Sequence, residues 1–241
     1  MRDDLFPIRE VTCPPGSELD RSRWPCTIPA VRQLLDDGLE LGQATILVGE
    51  NGSGKSTLVE AIAGAFGLSP EGGSTGARLS TRPSESELRE HVTLVRNAGA
   101  TRRGYFLRGE TAHGLFTYLE QNPGQGPEPV FHELSHGESF LSLVESKFRG
   151  VGFWVLDEPE AALSFNGCLR LVRMLAEALE DGRSQVIMST HSPVLAALPG
   201  ATILEVGDWG FRPTPWTESE LVMSWRSFLA APQRHIRGGE R

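Results

Sequence analysis

The chain has 241 residues, of which 39% are hydrophobic and 22% charged, an ordinary composition for one globular domain that excludes a disordered chain. Its longest apolar runs are too short to cross a bilayer, and its first residues lack the apolar core of a signal peptide, so we expect a cytoplasmic protein without membrane insertion. The net charge of −8 disfavours an extended phosphate-binding surface and leaves room for a local one.

The pattern of apolar residues predicts strands that alternate with helices. Prolines in the first forty residues favour short edge strands and turns, followed by a helix over Pro29 to Asp37. The apolar run from Ala44 to Val48 is typical of a buried parallel strand, and helical spacing begins at Ser56. Further strands are predicted at His91 to Arg96, Tyr105 to Arg108, Phe153 to Leu156, Gln185 to Ser189 and Ala201 to Val206. Further helices are predicted at Thr111 to Gln121, from about Gly137, at Asn166 to Leu179 and at Pro193 to Leu198. This alternation predicts an α/β fold whose parallel sheet is covered on both faces.

We expect residues 1–241 to form a single domain with two additions. Residues 69–130 are interpreted as a lid or short helical insertion, because Ser69 to Glu87 is rich in Gly, Ser, Pro and Glu and should be a mobile loop. Asn122 to Pro129 is predicted to be a second loop. Residues 207–241 are interpreted as a C-terminal extension.

The cysteines and two groups of basic residues are interpreted as structural features. The three cysteines are far apart and lack the spacing of a metal site, which is typical of reduced thiols: Cys13, Cys26 and Cys168. Arg102 and Arg103 together with Arg108 form one basic group, and Arg234 to Arg241 form the other. We interpret the first group as solvated surface and the second as a loose terminus.

A glycine-rich segment after the strand at Ala44 fits the pattern G-x-x-x-x-G-K-[ST]. Its residues are Gly49, Glu50, Asn51, Gly52, Ser53, Gly54, Lys55 and Ser56, and Thr57 follows as a further binding residue. The glycines let successive backbone N–H groups turn toward phosphate oxygens. Lys55 would place a positive charge at the β- and γ-phosphates, and the Ser56 hydroxyl would bind Mg²⁺. Because the helix that begins at Lys55 adds its positive dipole end, the pattern predicts a site for ATP and Mg²⁺.

A second apolar strand, Phe153 to Leu156, ends in the acids Asp157 and Glu158. A parallel strand delivers its last side chains to the same sheet edge as the phosphate loop. Asp157 would hold Mg²⁺, commonly through a water molecule, and Glu158 would orient and polarise the attacking water.

Three further segments carry a resemblance to a known family. Leu134 to Ser139 resembles the LSGGQ-type signature of ABC ATPases in its LSxGE form, although a helix capping box is an alternative reading of Ser-x-Gly-Glu. Asp157 to Ser164 is similar to the Walker B motif and D-loop of that family, and the Ser-Thr-His-Ser-Pro segment around His191 to its switch histidine. With the phosphate loop, four motifs follow one another in family order. From Ala44 to Val206 the chain resembles stand-alone ABC-type ATPases that are distantly similar to SMC, repair and OLD-type ATPases.

The resemblance implies a P-loop NTPase fold of the ABC type that hydrolyses ATP as a homodimer formed on ATP binding. Ser135 and the backbone of Gly137 in one copy would contact the γ-phosphate bound by the second copy, and His191 would bind that phosphate within its own subunit. Glu158 and Lys55 complete the implied catalytic set with His191. The implied partner of the dimer is a protein or DNA, and the alternative is an ATP-binding subunit of an ABC transporter. A P-loop kinase or nuclease accessory is disfavoured, because a monomeric kinase needs neither the signature nor the switch histidine.

The chain departs from the family pattern at three places. The Q-loop glutamine is replaced by Glu110 or supplied by Gln121 or Gln125, and Glu110 is favoured because it follows the strand that ends at Arg108. Trp24 is the candidate for stacking on adenine, with a buried core tryptophan as the alternative. A serine, at position 164, stands where transporters usually have an aspartate.

Overall fold

The computed structural model describes residues 5–69, 72–74, 87–122 and 134–237. The strands are β1 (Ile8–Thr12), β2 (Leu39–Glu40), β3 (Ala44–Gly49), β4 (Gly73–Ser74), β5 (Thr93–Arg96), β6 (Gly104–Arg108), β7 (Phe153–Asp157), β8 (Gln185–Ser189), β9 (Thr202–Gly207) and β10 (Gly210–Pro213). The α-helices are α1 (Pro29–Asp37), α2 (Lys55–Phe66), α3 (Leu88–His91), α4 (Ala112–Gln121), α5 (His136–Lys147), α6 (Phe165–Leu179), α7 (Glu220–Ala230) and α8 (Pro232–Arg237). Short 3₁₀ turns lie at Pro159–Ala162, Leu195–Ala197 and Trp216–Glu218.

The main sheet has seven strands in the order β10-β9-β3-β8-β7-β6-β4. The five strands from β9 to β6 are parallel, and the edge strands β10 and β4 are antiparallel to their neighbours. The register aligns Asp157 at the end of β7 with Ser189 on one side and Arg108 on the other. The predicted α/β fold with a parallel central sheet is therefore confirmed.

Helices cover both faces of this sheet, and each face has its own apolar core. Successive residues of a strand point to opposite faces, so Ile46 belongs to the core beneath α4, α5 and α6, whereas Leu47 belongs to the core beneath α1 and α2. In β7, Trp154 likewise belongs to the first of these cores and Val155 to the second. Because both faces are covered, the central strands are continuous apolar runs.

A small antiparallel sheet with the order β2-β1-β5 lies beside the second core. Gln185, at the start of β8, joins it to the main sheet. The buried side-chain amide of Gln185 accepts from the N–H of Ile8 at 2.9 Å and donates to the carbonyl oxygens of Ile8 and Gly42 at 2.6 and 2.9 Å. One polar side chain thus satisfies backbone groups that the junction of the two sheets would otherwise bury unpaired.

The predicted elements agree with this structure except at three places. The strand predicted from His91 starts at Thr93, because Leu88–His91 forms a helical turn that buries Leu88 against the second core. The helix predicted at Pro193 to Leu198 is only the 3₁₀ turn Leu195–Ala197. Strand β10 and helices α7 and α8 of the C-terminal extension were not predicted, and α8 covers the first part of the terminus that was predicted to be loose. Most of the two loops predicted at 69–87 and 122–129 lies outside the described residues, although Gly73–Ser74 in the first of them forms β4. The domain boundaries stay a prediction. Across the described ranges, no helix is both long and apolar enough to cross a membrane.

We expect Gln185→Leu to lower the free energy of unfolding by about 3 kcal/mol, because it leaves buried backbone groups of Ile8 and Gly42 without partners. Urea unfolding followed by circular dichroism measures this difference. The matched control is Gln121→Leu at the exposed end of α4, which should change the stability by less than about 0.5 kcal/mol. Equal effects of the two substitutions would contradict the role given to Gln185.

Candidate functional site

The glycine-rich loop joins the end of β3 to the start of α2, as the sequence predicted. Gly49 has φ 149°, and a Cβ atom there would lie 2.1 Å from the carbonyl oxygen of Val206. Gly54 has φ 102°, and a Cβ atom there would lie 2.6 Å from the side chain of Ile28. The loop therefore requires glycine at both positions, for its backbone conformation and for close packing.

Lys55 lies inside the curve of this loop. Its side chain is 3% exposed, and its Nζ donates to the carbonyl oxygens of Gly49 and Glu50 at 2.9 Å each. Burial lowers the pKa of Lys55, while the nearby carboxylates of Glu158 and Asp157 act in the opposite direction. The carbonyl groups thus hold the lysine in a position from which its positive charge can interact with a bound phosphate.

A pocket of about 190 Å³ opens on the outer side of the loop. It is lined by Trp24, Ile28, Asn51, Gly52, Gly54, Lys55, Ser56, Thr57 and Glu158. Trp24 is 60% exposed, so the interpretation of this residue as a core tryptophan is wrong. An exposed indole at the rim of a phosphate-binding loop is suited to stacking on a nucleotide base.

A smaller pocket of about 50 Å³ lies between the start of α2 and the ends of β6 and β7. Its lining brings together Ser56, Arg108, Glu110, Asp157 and Glu158. The hydroxyl and carboxylate oxygens are the hard ligands that Mg²⁺ prefers, so these residues fit that metal. In the described part of the chain, no group of three or more His, Cys, Asp or Glu side chains has a metal-binding arrangement. A magnesium ion that shares its coordination with phosphates and water needs only one or two protein carboxylates.

The Asp157 carboxylate is 4% exposed and has a partner on each oxygen. The Ser189 hydroxyl donates to Oδ1, and Nη2 of Arg108 lies 3.3 Å from Oδ2. The same Nη2 is 2.8 Å from Oε1 of Glu60 on α2. The interpretation of Arg108 as solvated surface is therefore wrong, because its side chain is only 23% exposed and is paired with two acids. The signal that could have identified it is its place at the end of the strand beside β7.

Glu158 has a left-handed backbone conformation, with φ 47° and ψ 52°. It is the one non-glycine residue with positive φ in the ranges that the structure describes. Its N–H donates to the carbonyl oxygen of Ser189 at 3.1 Å, which holds the turn against β8. Such a conformation costs on the order of 1 kcal/mol and persists where the surrounding structure enforces it, often at functional sites.

His191 follows β8 and lies beside Glu158. Its N–H donates to the carboxylate of Glu160, which fixes the turn. Its Nε2 atom is buried, makes no hydrogen bond within the described residues and lies 3.4 Å from Oε1 of Glu158. The ring nitrogen is therefore able to take a further partner near the phosphate loop.

Gly109 connects β6 to the small pocket. Its N–H donates to the carbonyl oxygen of Asp157 at 2.9 Å, and a Cβ atom there would lie 2.1 Å from the carbonyl oxygen of Glu158. This close approach brings the following residue, Glu110, to the pocket lining. Gln121 lies at the far end of α4 and lines none of the described pockets, and Gln125 lies outside the described residues. Of the two Q-loop alternatives that the structure describes, Glu110 is the one at the site.

Ser135 is the N-cap of α5 and forms a full capping box with Glu138. The Ser135 N–H and hydroxyl donate to Glu138 Oε2 at 3.0 and 2.5 Å, and these bonds lower the pKa of the Glu138 carboxyl. Gly137 packs on the segment after Asp157, since a Cβ atom there would lie 3.2 Å from the carbonyl oxygen of Ala162. Ser135 is exposed and, like Gly137, lines none of the described pockets. Within the described residues, the signature turn is thus not part of the pockets beside the phosphate loop of the same copy.

The C-terminal extension borders the other side of the phosphate loop, which the sequence did not indicate. A cleft of about 520 Å³ separates Gly49 to Ser53 and His191 from two exposed tryptophans, Trp209 and Trp225. The extension is anchored near His191, because the Trp216 indole N–H donates to the carbonyl oxygen of Pro193 at 3.0 Å.

The glycine-rich loop between a buried strand and a helix, with an acidic pair at the end of a neighbouring parallel strand, defines the class of P-loop NTPases. The family model described as "ABC transporter" matches residues 35–161, more than half of the chain. The chain therefore belongs to this family, whose ATP-binding cassettes hydrolyse ATP, and it is an ABC-type ATPase. The resemblance to ABC-type P-loop ATPases is thus confirmed.

Several known proteins are similar to the chain. An "Uncharacterized ABC transporter ATP-binding protein" of Haemophilus influenzae is 27% identical over 190 residues, 69% of this chain and 70% of that protein. The "Cytochrome c biogenesis ATP-binding export protein CcmA" of Salmonella typhi is 32% identical over 175 residues, 68% of this chain and 81% of that protein. Among solved structures, the SMC head domain from Thermotoga maritima has a TM-score of 0.43 at 16% identity, covering 74% of this chain and 93% of that one.

We expect Gly109→Ala to lower the free energy of unfolding by about 2 kcal/mol or more, because the added methyl group collides with the backbone of Glu158. Gly114→Ala, in α4, is the matched control. A Cβ atom there meets nothing within 4 Å, and the substitution should stabilise the helix by about 0.5 to 1 kcal/mol. Urea unfolding of the two variants measures both changes, and a tolerated alanine at position 109 would show that the approach of the two loops is not tight.

Proposed function

We propose that the chain acts in the cytoplasm as an ATP-dependent sandwich dimer that moves or clamps a protein or DNA partner. In this proposal two copies enclose two ATP molecules, and hydrolysis removes the contact that joins the copies. The γ-phosphate then acts as an ordering ligand, as in other nucleotide switches.

The pockets on either side of the phosphate loop support the roles of the binding residues. Trp24 would stack on the base, the loop N–H groups would bind phosphate oxygens, and Lys55 would serve the β- and γ-phosphates. Ser56 and Asp157 would hold Mg²⁺, with Glu110 as a further oxygen ligand in the Q-loop position. When bound, the metal would supply positive charge that offsets the charge of the phosphates.

For hydrolysis, Glu158 would accept a hydrogen bond from the attacking water and orient it toward the γ-phosphate. The left-handed turn supports this role, because it directs the Glu158 side chain to both smaller pockets. His191 would use its unpaired Nε2 as a hydrogen-bond partner of the γ-phosphate. The two residues are close enough to act on the same phosphate group.

The observation that carries the dimer is the separation of the signature turn from the phosphate loop of its own copy. Ser135 is exposed at a capped helix start, where N–H groups and the helix dipole favour an anion. Because Ser135 lines none of the pockets described around the loop, the proposal assigns its γ-phosphate contact to a second copy.

A second candidate is an ATP-binding subunit of a transporter. It is favoured by the names of relatives, which include the CcmA export protein above and a "Ribose import ATP-binding protein RbsA" of Burkholderia pseudomallei, 29% identical over 203 residues. Such a subunit would act with a membrane protein, whereas the first candidate moves or clamps a protein or DNA partner. The acidic residue at the Q-loop position favours the first candidate, because the family pattern there is glutamine.

We expect Glu158→Gln to accumulate as an ATP-bound dimer, because the amide keeps the shape of the side chain and cannot polarise water. Lys55→Ala should instead weaken ATP binding by at least about tenfold, since it removes a charged phosphate ligand. Size-exclusion chromatography with light scattering at saturating Mg·ATP distinguishes the two. Glu177→Gln, on the exposed face of α6, is the matched control and should behave as the unmodified chain. A Glu158→Gln variant that stays monomeric would falsify the sandwich dimer.

We expect Ser135→Asp to lower the rate of ATP hydrolysis at least about tenfold, because aspartate preserves the helix cap and repels a γ-phosphate. The monomeric variant should still bind ATP. Ser135→Thr keeps both the cap and the hydroxyl and should retain activity within a few-fold. ATPase assays and equilibrium nucleotide binding measure the two effects. Loss of ATP binding by the monomeric Ser135→Asp variant would show that the serine acts within its own copy.

A further inference from the structure

We propose that Arg108 makes metal binding depend on nucleotide: its guanidinium neutralises the magnesium carboxylates until phosphates arrive with the metal. This inference rests on the proposed function, because it takes the pocket of Ser56 and Asp157 as the magnesium site. It adds a positioning residue that the family motifs on this chain do not include.

The geometry places the Arg108 guanidinium at the metal pocket, beside acids that also interact with Lys55. Arg108 lines that pocket, and its Nη2 bridges Oδ2 of Asp157 and Oε1 of Glu60 at 3.3 and 2.8 Å. The other oxygen of Asp157 accepts from the Ser189 hydroxyl, so its orientation does not depend on the arginine alone. Removing Arg108 would therefore free Oδ2 without releasing the carboxylate.

The charge balance gives the arginine its effect. Three carboxylates line the pocket, those of Glu110, Asp157 and Glu158, and a fourth, that of Glu60, is paired with Arg108. An acidic group of this kind attracts a divalent cation even without a nucleotide, unless a fixed positive charge offsets it. Arg108 provides that charge from a mostly buried position, where salt screens it less than it would at the surface.

Nucleotide binding changes this balance. The phosphates of ATP bring several negative charges to the loop beside the pocket, which restores the attraction for Mg²⁺ in spite of the arginine. Metal is then held together with nucleotide and not before it. An arginine is suited to this task because its charge is permanent and its planar group can bridge two carboxylates.

The test measures Mn²⁺, a paramagnetic substitute for Mg²⁺, by electron paramagnetic resonance of the full chain with and without a non-hydrolysable ATP analogue. Without nucleotide, we expect Arg108→Gln and Arg108→Met to bind Mn²⁺ about tenfold more tightly than the unmodified chain. Arg108→Lys keeps the charge and should stay within about threefold of it. Arg102→Gln, on the exposed segment before β6, is the matched control and should leave Mn²⁺ binding unchanged.

The outcomes separate this inference from the proposed function. One outcome is that the unmodified chain binds Mn²⁺ with the analogue, while without nucleotide Arg108→Gln and Arg108→Met bind Mn²⁺ no more tightly than the unmodified chain does. Arg108 then only supports Asp157, and the inference is overturned. A gain as large in Arg108→Lys also overturns it, because the charge is then not the cause. If the unmodified chain binds no Mn²⁺ even with the analogue, the magnesium site of the proposed function itself is wrong. Thermal unfolding of each variant confirms that folded protein is compared.

Discussion

The parallel register of the five central strands is the constraint on which the site depends. It places the ends of β3, β6, β7 and β8 at one edge of the sheet, so that Gly49, Arg108, Asp157 and Ser189 lie together although they are far apart in the chain. A shift of one residue in β7 would turn Asp157 from this edge toward the opposite face. The apolar cores on both faces resist that shift, since each strand buries alternating residues on both sides.

Close backbone contacts turn this edge into a site. Gly49 approaches Val206, and Gly109 approaches Glu158, at distances that no side chain allows. Through these contacts the phosphate loop is held against β9, and the Q-loop position against the acidic pair. The strained conformation of Glu158 belongs to the same arrangement, because its N–H donates to Ser189 of β8 while the residue lines both smaller pockets beside the loop.

Local sequence patterns were sufficient for the phosphate loop and for most elements. The Gly-Lys-Ser segment and the apolar strand before the acidic pair carry their structure within a few residues, and the structure places them as predicted. Arg108 was misinterpreted because its charge resembled that of the exposed residue Arg102, and its burial comes from α2 and β7, which are distant in sequence. The cleft beside Trp225 was also not predicted, because it is formed by tertiary packing of the extension against segments that are distant in the sequence.

The negative net charge sets a condition on any dimer that closes over ATP. Two copies of charge −8 repel each other at long range, and each triphosphate adds negative charge at the proposed interface. At physiological salt the repulsion between distant surface charges fades within about 8 Å, so contacts close to the phosphates decide whether closure is favourable. Lys55 and the start of α2 are the positive groups that such an interface would bring to each phosphate, whereas the Ser135 N–H and hydroxyl at the start of α5 already donate to the Glu138 carboxylate. In the proposed dimer the driving force for closure would therefore be local, at the contacts of each phosphate with the loop of one copy and the signature turn of the other.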